Sequence, residues 1–285
     1  MSTRIDQPIG EGVFMSNPSK KFLTFKNNYT KESVTVKGKK SEVVIFDNCT
    51  FQWSEKIGED YVTHDIELPI EFAILNGDWV NFKGWDKTTE SYYYSNEVKT
   101  PDAPIHIRNK DKVVYTFTLN DMWGVIPGSK IKNEAKAREV KAKLKELNVR
   151  QNASIYIAMK NEEGVYEINN IQLKGSNLSG LKDKTILSGW WNVSRKLKNS
   201  KKIYTHFIEI NDFFTESGEL GEYGIPNITL GEKIDEDTLE ILETLFQELT
   251  EYHKIYEKTA IAPEATLPES KEEEEKEKRE TLFGL

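Results

Sequence analysis

The sequence predicts a strand-rich α+β body, a compact β-barrel or sandwich, and three observations lead there. Short apolar or alternating runs recur between turn residues from Phe22 onward. Two stretches carry a clear helical repeat, and they do not alternate with the strands as a βαβ fold requires. The chain has 285 residues, 37% hydrophobic and 11% aromatic, which is enough to build a sizeable core.

In chain order, residues 22–25 and 34–36 mix apolar and polar side chains at strand-like spacing. Residues 43–46 (Val43, Val44, Ile45, Phe46) are a continuous apolar run suited to a buried strand. The pieces between them, 26–29 and 37–40, are turn-rich. Residues 66–75 are apolar and leave helix and strand both open, with Pro69 arguing against a long regular element. Asn76, Gly77 and Asp78 give a strong tight-turn signal, after which 79–85 reads as a strand. Residues 105–107 and 113–117 look like a hairpin joined through 109–111. Residues 133–147 form the first helix: Asn133 can cap it, and Ala137, Val140, Leu144 and Leu147 repeat at helical spacing, with Lys and Arg on the other faces. Strands resume at 153–159, 166–173 and 203–210. The second helix covers 235–257, with Asp235 as cap and acidic residues in the first turn, where the helix dipole favours them. Its stripe of Leu242, Leu245, Leu249, Tyr252 and Tyr256, widened by Ile241 and Phe246, either packs on the body or forms a self-association seam.

Three regions follow: a β-rich body over 1–230, a C-terminal amphipathic helix over 231–260, and a tail over 261–285. The tail has a Pro-punctuated linker, a charged stretch expected to be disordered, and an apolar tip of Leu282, Phe283 and Leu285. Charge divides the same way. The net of −8 conceals 32 basic and 30 acidic residues up to Leu230 against 7 and 17 beyond it, so the body is slightly basic and the acidity is C-terminal. That asymmetry points to a body that binds a polyanion. No signal peptide or apolar membrane span is evident, which makes the cytoplasm the expected location, the host cytoplasm if the protein is viral. The single Cys49 excludes an intramolecular disulfide and a zinc site built on several thiolates of one chain.

The catalytic inventory is thin. Phosphate loops, nucleophile elbows and zinc-protease patterns are absent, and His64, His106, His206 and His253 are scattered singly, as structural or surface residues. Asp86 followed by Glu97 and Lys99 resembles the spaced carboxylates and lysine of a metal-dependent nuclease. The binding inventory is richer. Trp79, Phe82, Trp85, Tyr92, Tyr93 and Tyr94 are interleaved with Lys83 and Lys87, with Lys99 just beyond. A second cluster gathers Trp190, Trp191, Arg195, Lys196, Lys198, Lys201, Lys202 and Tyr204. Rings that stack on bases, set among cations that track phosphates, are what single-stranded nucleic acid needs.

An aromatic, basic, strand-rich body followed by an acidic tail (Glu272 to Glu275, Glu277, Glu280) with an apolar end resembles phage and bacterial single-stranded DNA-binding proteins. The order of Tyr94–Val98, a Lys-rich helix, 154–158 and 171–179 also looks like uncharacterised phage proteins placed among DNA-binding proteins. The resemblance implies an oligonucleotide-binding (OB-like) barrel or sandwich core with one inserted helix, a C-terminal amphipathic helix and a disordered acidic tail. It further implies non-sequence-specific single-stranded DNA binding in replication or recombination, without cofactor or metal, and replication partners docked on the tail tip. A homo-oligomer through the C-terminal helix stays open. The alternatives are the nuclease and a virion or scaffold protein.

Overall fold

The N-terminal part of the chain folds into long strands where the sequence suggests short ones. The computed structural model describes residues 17–260 except 37–38, 58–59, 111, 184, 200–204 and 219–220. Strands β1 (Phe22–Val36) and β2 (Lys39–Ile57) pair antiparallel along their length, with a bulge at Asn28/Tyr29. Residues 26–29 therefore continue a strand instead of turning, because β2 supplies partners for their backbone groups. β3 (Asp60–Ile66) adds to β2, and a cis Leu68–Pro69 peptide leads into β4 (Ile70–Asp86). A meander of β5 (Ser91–Ser95), β6 (Ile105–Asn109) and β7 (Lys112–Phe117) precedes helices α1 (Leu119–Trp123) and α2 (Glu134–Glu146). Next come the hairpin of β8 (Val149–Lys160) and β9 (Tyr166–Lys174), then α3 (Ser176–Ser179) and α4 (Trp190–Asn199). The hairpin of β10 (His206–Gly218) and β11 (Gly221–Lys233) and the long helix α5 (Glu236–Ala260) complete the order.

The architecture is α+β and strand-rich, with an open sheet in the order β3-β2-β1-β9-β8-β4-β5-β6-β7. Neighbours pair antiparallel except β9 and β1, which run parallel over Phe22–Thr24. β4 is the spine: Ile70 and Phe72 pair with β10, Ala73 to Gly84 with β8, and Lys83 to Asp86 with β5. The expected tight turn at Asn76–Asp78 is instead a bulge inside this strand. Gly77 serves a close approach rather than a turn, since a Cβ there would lie 2.6 Å from Cζ2 of Trp190.

Three apolar clusters stabilise the sheet. The first collects Leu23, Phe51, Ile74, Ile155, Ile171 and Ile208 from six strands and is capped by Trp190, Val193 and Leu197 of α4. The second lies on β4 to β7 and buries Val140 and Leu144 of α2. The third is the underside of α5, where Leu242, Leu249 and Tyr252 cover Ala73, Trp79, Tyr156 and Ile168. The α5 stripe thus packs on the body, while Ile241 and Phe246 are exposed. Both expected caps form, with Asn133 accepting from the Lys136 amide (3.0 Å) and Asp235 from the Thr238 amide (2.8 Å).

Other expectations need correction. Val43, Val44 and Ile45 are exposed, because this part of β2 belongs to a two-stranded arm that the main cores do not cover. The described residues hold four helices before α5, not one insertion, and residue 230 falls inside β11. Among the described residues no helix is long and apolar enough to cross a membrane. The tail over 261–285, with Leu282, Phe283 and Leu285, lies outside the described residues.

Candidate nucleic-acid interface

Side chains alternate between the faces of a strand, so every second residue of β4, β8 and β9 describes one surface. On the face away from the first core, β8 reads Ala158, Tyr156, Ser154, Asn152, Arg150, and β9 reads Ile168, Asn170, Gln172, Lys174. β4 beyond its bulge reads Trp79, Asn81, Lys83, Trp85. The register places these series side by side: Ala158 faces Ile168, Tyr156 faces Asn170, Asn152 faces both Asn81 and Lys174, and Arg150 faces Lys83. One gradient runs down all three strands, from an apolar belt beneath α5, through a polar layer, to cations.

The polar layer is organised around Glu97. An isolated antiparallel bridge between Val80 and Val98, with both N···O distances 2.9 Å, holds the segment after β5 against β4. The Glu97 carboxylate accepts from Asn81 Nδ2 (3.0 Å), Ser154 Oγ (2.7 Å) and Tyr156 Oη (2.6 Å). Its amide donates to Tyr256 Oη of α5 (2.6 Å). Asn152 donates to Asn81 (3.3 Å) and Asn170 to Ser154 (2.7 Å). Burial and the nearby carboxylate raise the Tyr156 phenol well above its usual range, so the hydroxyl stays a donor.

Below this layer a groove of about 420 Å³ crosses seven neighbouring strands, from Thr63 on β3 to Tyr92 on β5. At strand spacings of about 4.8 Å it spans about 29 Å. Lys26, Lys83 and Lys174 line it together with Trp53, Trp85 and Tyr92, and among the described residues no Asp or Glu lines it. Trp85 is 42% exposed, Trp53 stacks on His64 (4.4 Å), and Tyr92 stacks on Tyr94 (6.1 Å). Lys21 Nζ sits 4.7 Å from the centre of the Trp53 ring. Lys83 is half-buried and donates to Gln172 Oε1 (2.9 Å). Desolvation lowers its ammonium below the ordinary lysine range, and Glu97 pulls the other way. A second recess of about 680 Å³, bordered by Arg150 and Tyr223, adjoins the groove through the shared Thr24, Lys26 and Lys174. In that recess Gly224 approaches β1 and β2 closely, its amide donating to Asn27 Oδ1 (3.0 Å).

The structure divides the first aromatic cluster. Lys83, Trp85 and Tyr92 line the groove, and Tyr94 lies beside it through its stack on Tyr92. Trp79 and Phe82 are 1% and 0% exposed and present no ring face: α5 covers Trp79, and Phe82 faces the second core. Lys99 is exposed but is not among the lining residues. The second cluster is a helix. Trp190 is 1% exposed in the first core, and Trp191 is wedged between the first and second. Arg195, Lys196 and Lys198 are exposed on α4 away from the groove, with Lys198 paired to Asp78, and Lys201 and Lys202 lie outside the described residues.

The nuclease pattern does not converge. Asp86 accepts from the Thr88 amide and the Thr89 hydroxyl in the turn after β4, whereas Glu97 bonds Asn81, five residues back along that strand, about 16 Å away. Among the described residues no group of three or more His, Cys, Asp or Glu is placed to hold a metal ion. Sequence reasoning missed Lys26, Trp53, Arg150, Gln172 and Lys174, although the apolar-to-cationic gradient at alternate positions of β8 and β9 carries the signal. No protein-family model matches the chain, and no similarity to a curated protein or a solved structure is found.

Proposed function

We propose that the protein binds single-stranded DNA without sequence specificity, along the groove across β3 to β5, as a non-enzymatic component of phage-type replication or recombination. One observation carries the reading: in a chain with a net charge of −8, the described residues that line the groove include three lysines, four aromatic side chains and no carboxylate. Lysines would neutralise phosphates while Trp85 and Tyr92 offer faces to bases. An OB-like description of the body is supported by the succession β10-β4-β8-β9-β1 round one core, with α4 set over that core, and by the partly open join between β11 and β1.

The test is a salt titration of binding to labelled oligothymidine, with and without magnesium. Affinity is expected to fall with a log–log slope of about −0.7 for each phosphate neutralised, with no cleavage in either condition. Trp85→Ala is expected to weaken binding by about 1–3 kcal/mol and leave the melting temperature unchanged. A slope near zero, a preference for duplex, or cleavage with magnesium overturns the reading.

The tail belongs to the same proposal, its apolar tip docking replication partners and its acidic stretch competing for the groove. Truncation after Ala260 is expected to raise affinity, most at low salt where charges are least screened. Equal affinity at every salt concentration removes the competition.

A further inference from the structure

One strongly basic stretch of the chain is not in the groove. Residues 130–150 hold eight Lys or Arg and three Glu. On α2 the ion pairs Lys136–Glu139 (2.9 Å) and Lys143–Glu146 (2.6 Å) occupy one flank. That flank faces β7, since Lys136, Glu139 and Lys143 all act electrostatically on the Tyr115 phenol. The other flank carries Arg138, Lys141 and Lys145 at i, i+3 and i+7, a spacing that aligns them on one side of a helix. All three are exposed, and among the described residues none forms an ion pair. They cover about 10 Å of helix. The turn after α2 then joins this row to the groove. Asn148 donates to the Trp85 carbonyl (2.6 Å), and Arg150, two residues on, faces Lys83 and borders the adjoining recess.

We infer that the Arg138, Lys141 and Lys145 flank of α2 is a second phosphate-binding segment, taking the backbone of the same single strand where it leaves the groove past Trp85. The inference rests on the proposed function of the groove. Its occupant is polyanionic, since the row offers charge and no aromatic face. α2 packs on the face of β4 opposite the groove, and the turn from Lys145 to Arg150 carries the row round the end of β4 to the recess that adjoins the groove. A strand long enough to emerge from the groove meets these cations, and a short one does not.

The experiment compares oligothymidines of about 6 and about 20 nucleotides, near the bottom and beyond the top of the 4–16 that one OB-type site covers. The proteins are the parent, the combined Arg138→Gln, Lys141→Gln, Lys145→Gln variant, and a Lys83→Gln, Trp85→Ala variant, each checked by thermal melting. The triple variant is expected to bind the short strand as the parent does. It should bind the long strand at least tenfold more weakly at low salt, with the salt slope shallower by about 2, three phosphates at about 0.7 each. Unchanged affinity and slope for the long strand overturn the inference, as does an equal loss for both lengths. The groove variant should lose both lengths. If it keeps both, or if the parent binds neither, the groove reading fails, and the shared track fails with it.

Discussion

Replacing Trp190 with alanine is expected to destabilise the protein by about 3–5 kcal/mol, the range for truncating a buried large aromatic. The indole is 1% exposed and opens α4, where it packs with Val193 and Leu197 over the first core. Its Nε1 donates to the Gly77 carbonyl (3.3 Å), and the ring fills the space beside Gly77 that a Cβ would otherwise take. Truncation leaves a cavity lined by β4 and α4 that neighbouring aliphatic residues fill only in part, and it frees a buried carbonyl. A urea titration followed by far-ultraviolet circular dichroism measures the loss. Affinity for oligothymidine, measured well below the new midpoint, should match the parent, the reverse of the outcome for Trp85→Ala. If the midpoint holds and affinity falls, Trp190 belongs to the interface and not to the core.

Trp190 also shows where sequence reading stops. A pair of tryptophans followed by Arg195, Lys196 and Lys198 has the composition of a stacking site, and nothing local reveals that Gly77, 113 residues earlier, receives the indole. Trp79 and Trp85 pose the same problem. Both lie on one face of β4, but α5 covers Trp79 and stops short of Trp85, and that difference depends on a helix at the other end of the chain. The hairpin of β6 and β7, both helix caps and the α5 stripe were legible because each depends on residues close in sequence. The groove was half legible. Lys83, Trp85 and Tyr92 belong to neighbouring strands, whereas Lys26 and Lys174 meet through the short parallel pairing of β1 with β9, which no local pattern specifies. Asn76, Gly77 and Asp78 misled because a glycine between two turn-forming residues looks the same whether it is needed for a turn or for a close contact.

Acid is expected to loosen α5 through His253. The imidazole is 6% exposed, stacked on Trp79 (4.2 Å between centroids, 26° between planes) and edge-on to Tyr156 (4.7 Å). Among the described residues its buried Nε2 has no hydrogen-bond partner. Desolvation disfavours the charged ring and, with Lys99 adding repulsion, pulls its pKa down to about 3. An unfolded chain holds this histidine near its ordinary value of about 6.5. Above that value both states are neutral and the group contributes no pH dependence. As the pH falls from 6.5 towards 3, the unfolded state takes up the proton and the folded state does not. Stability therefore drops by about 1.4 kcal/mol per pH unit, about 2 kcal/mol at pH 5. Carboxylates held low by hydrogen bonds, such as Asp86 and Asp235, add their own losses only at lower pH. The informative quantity is thus the difference between the parent and His253→Phe, which keeps a ring against Trp79 and cannot titrate. Urea midpoints at pH 7 and pH 5 should fall markedly for the parent and little for the variant. Equal losses would show that another group governs the acid response and that the His253 ring is not held neutral between Trp79 and Tyr156.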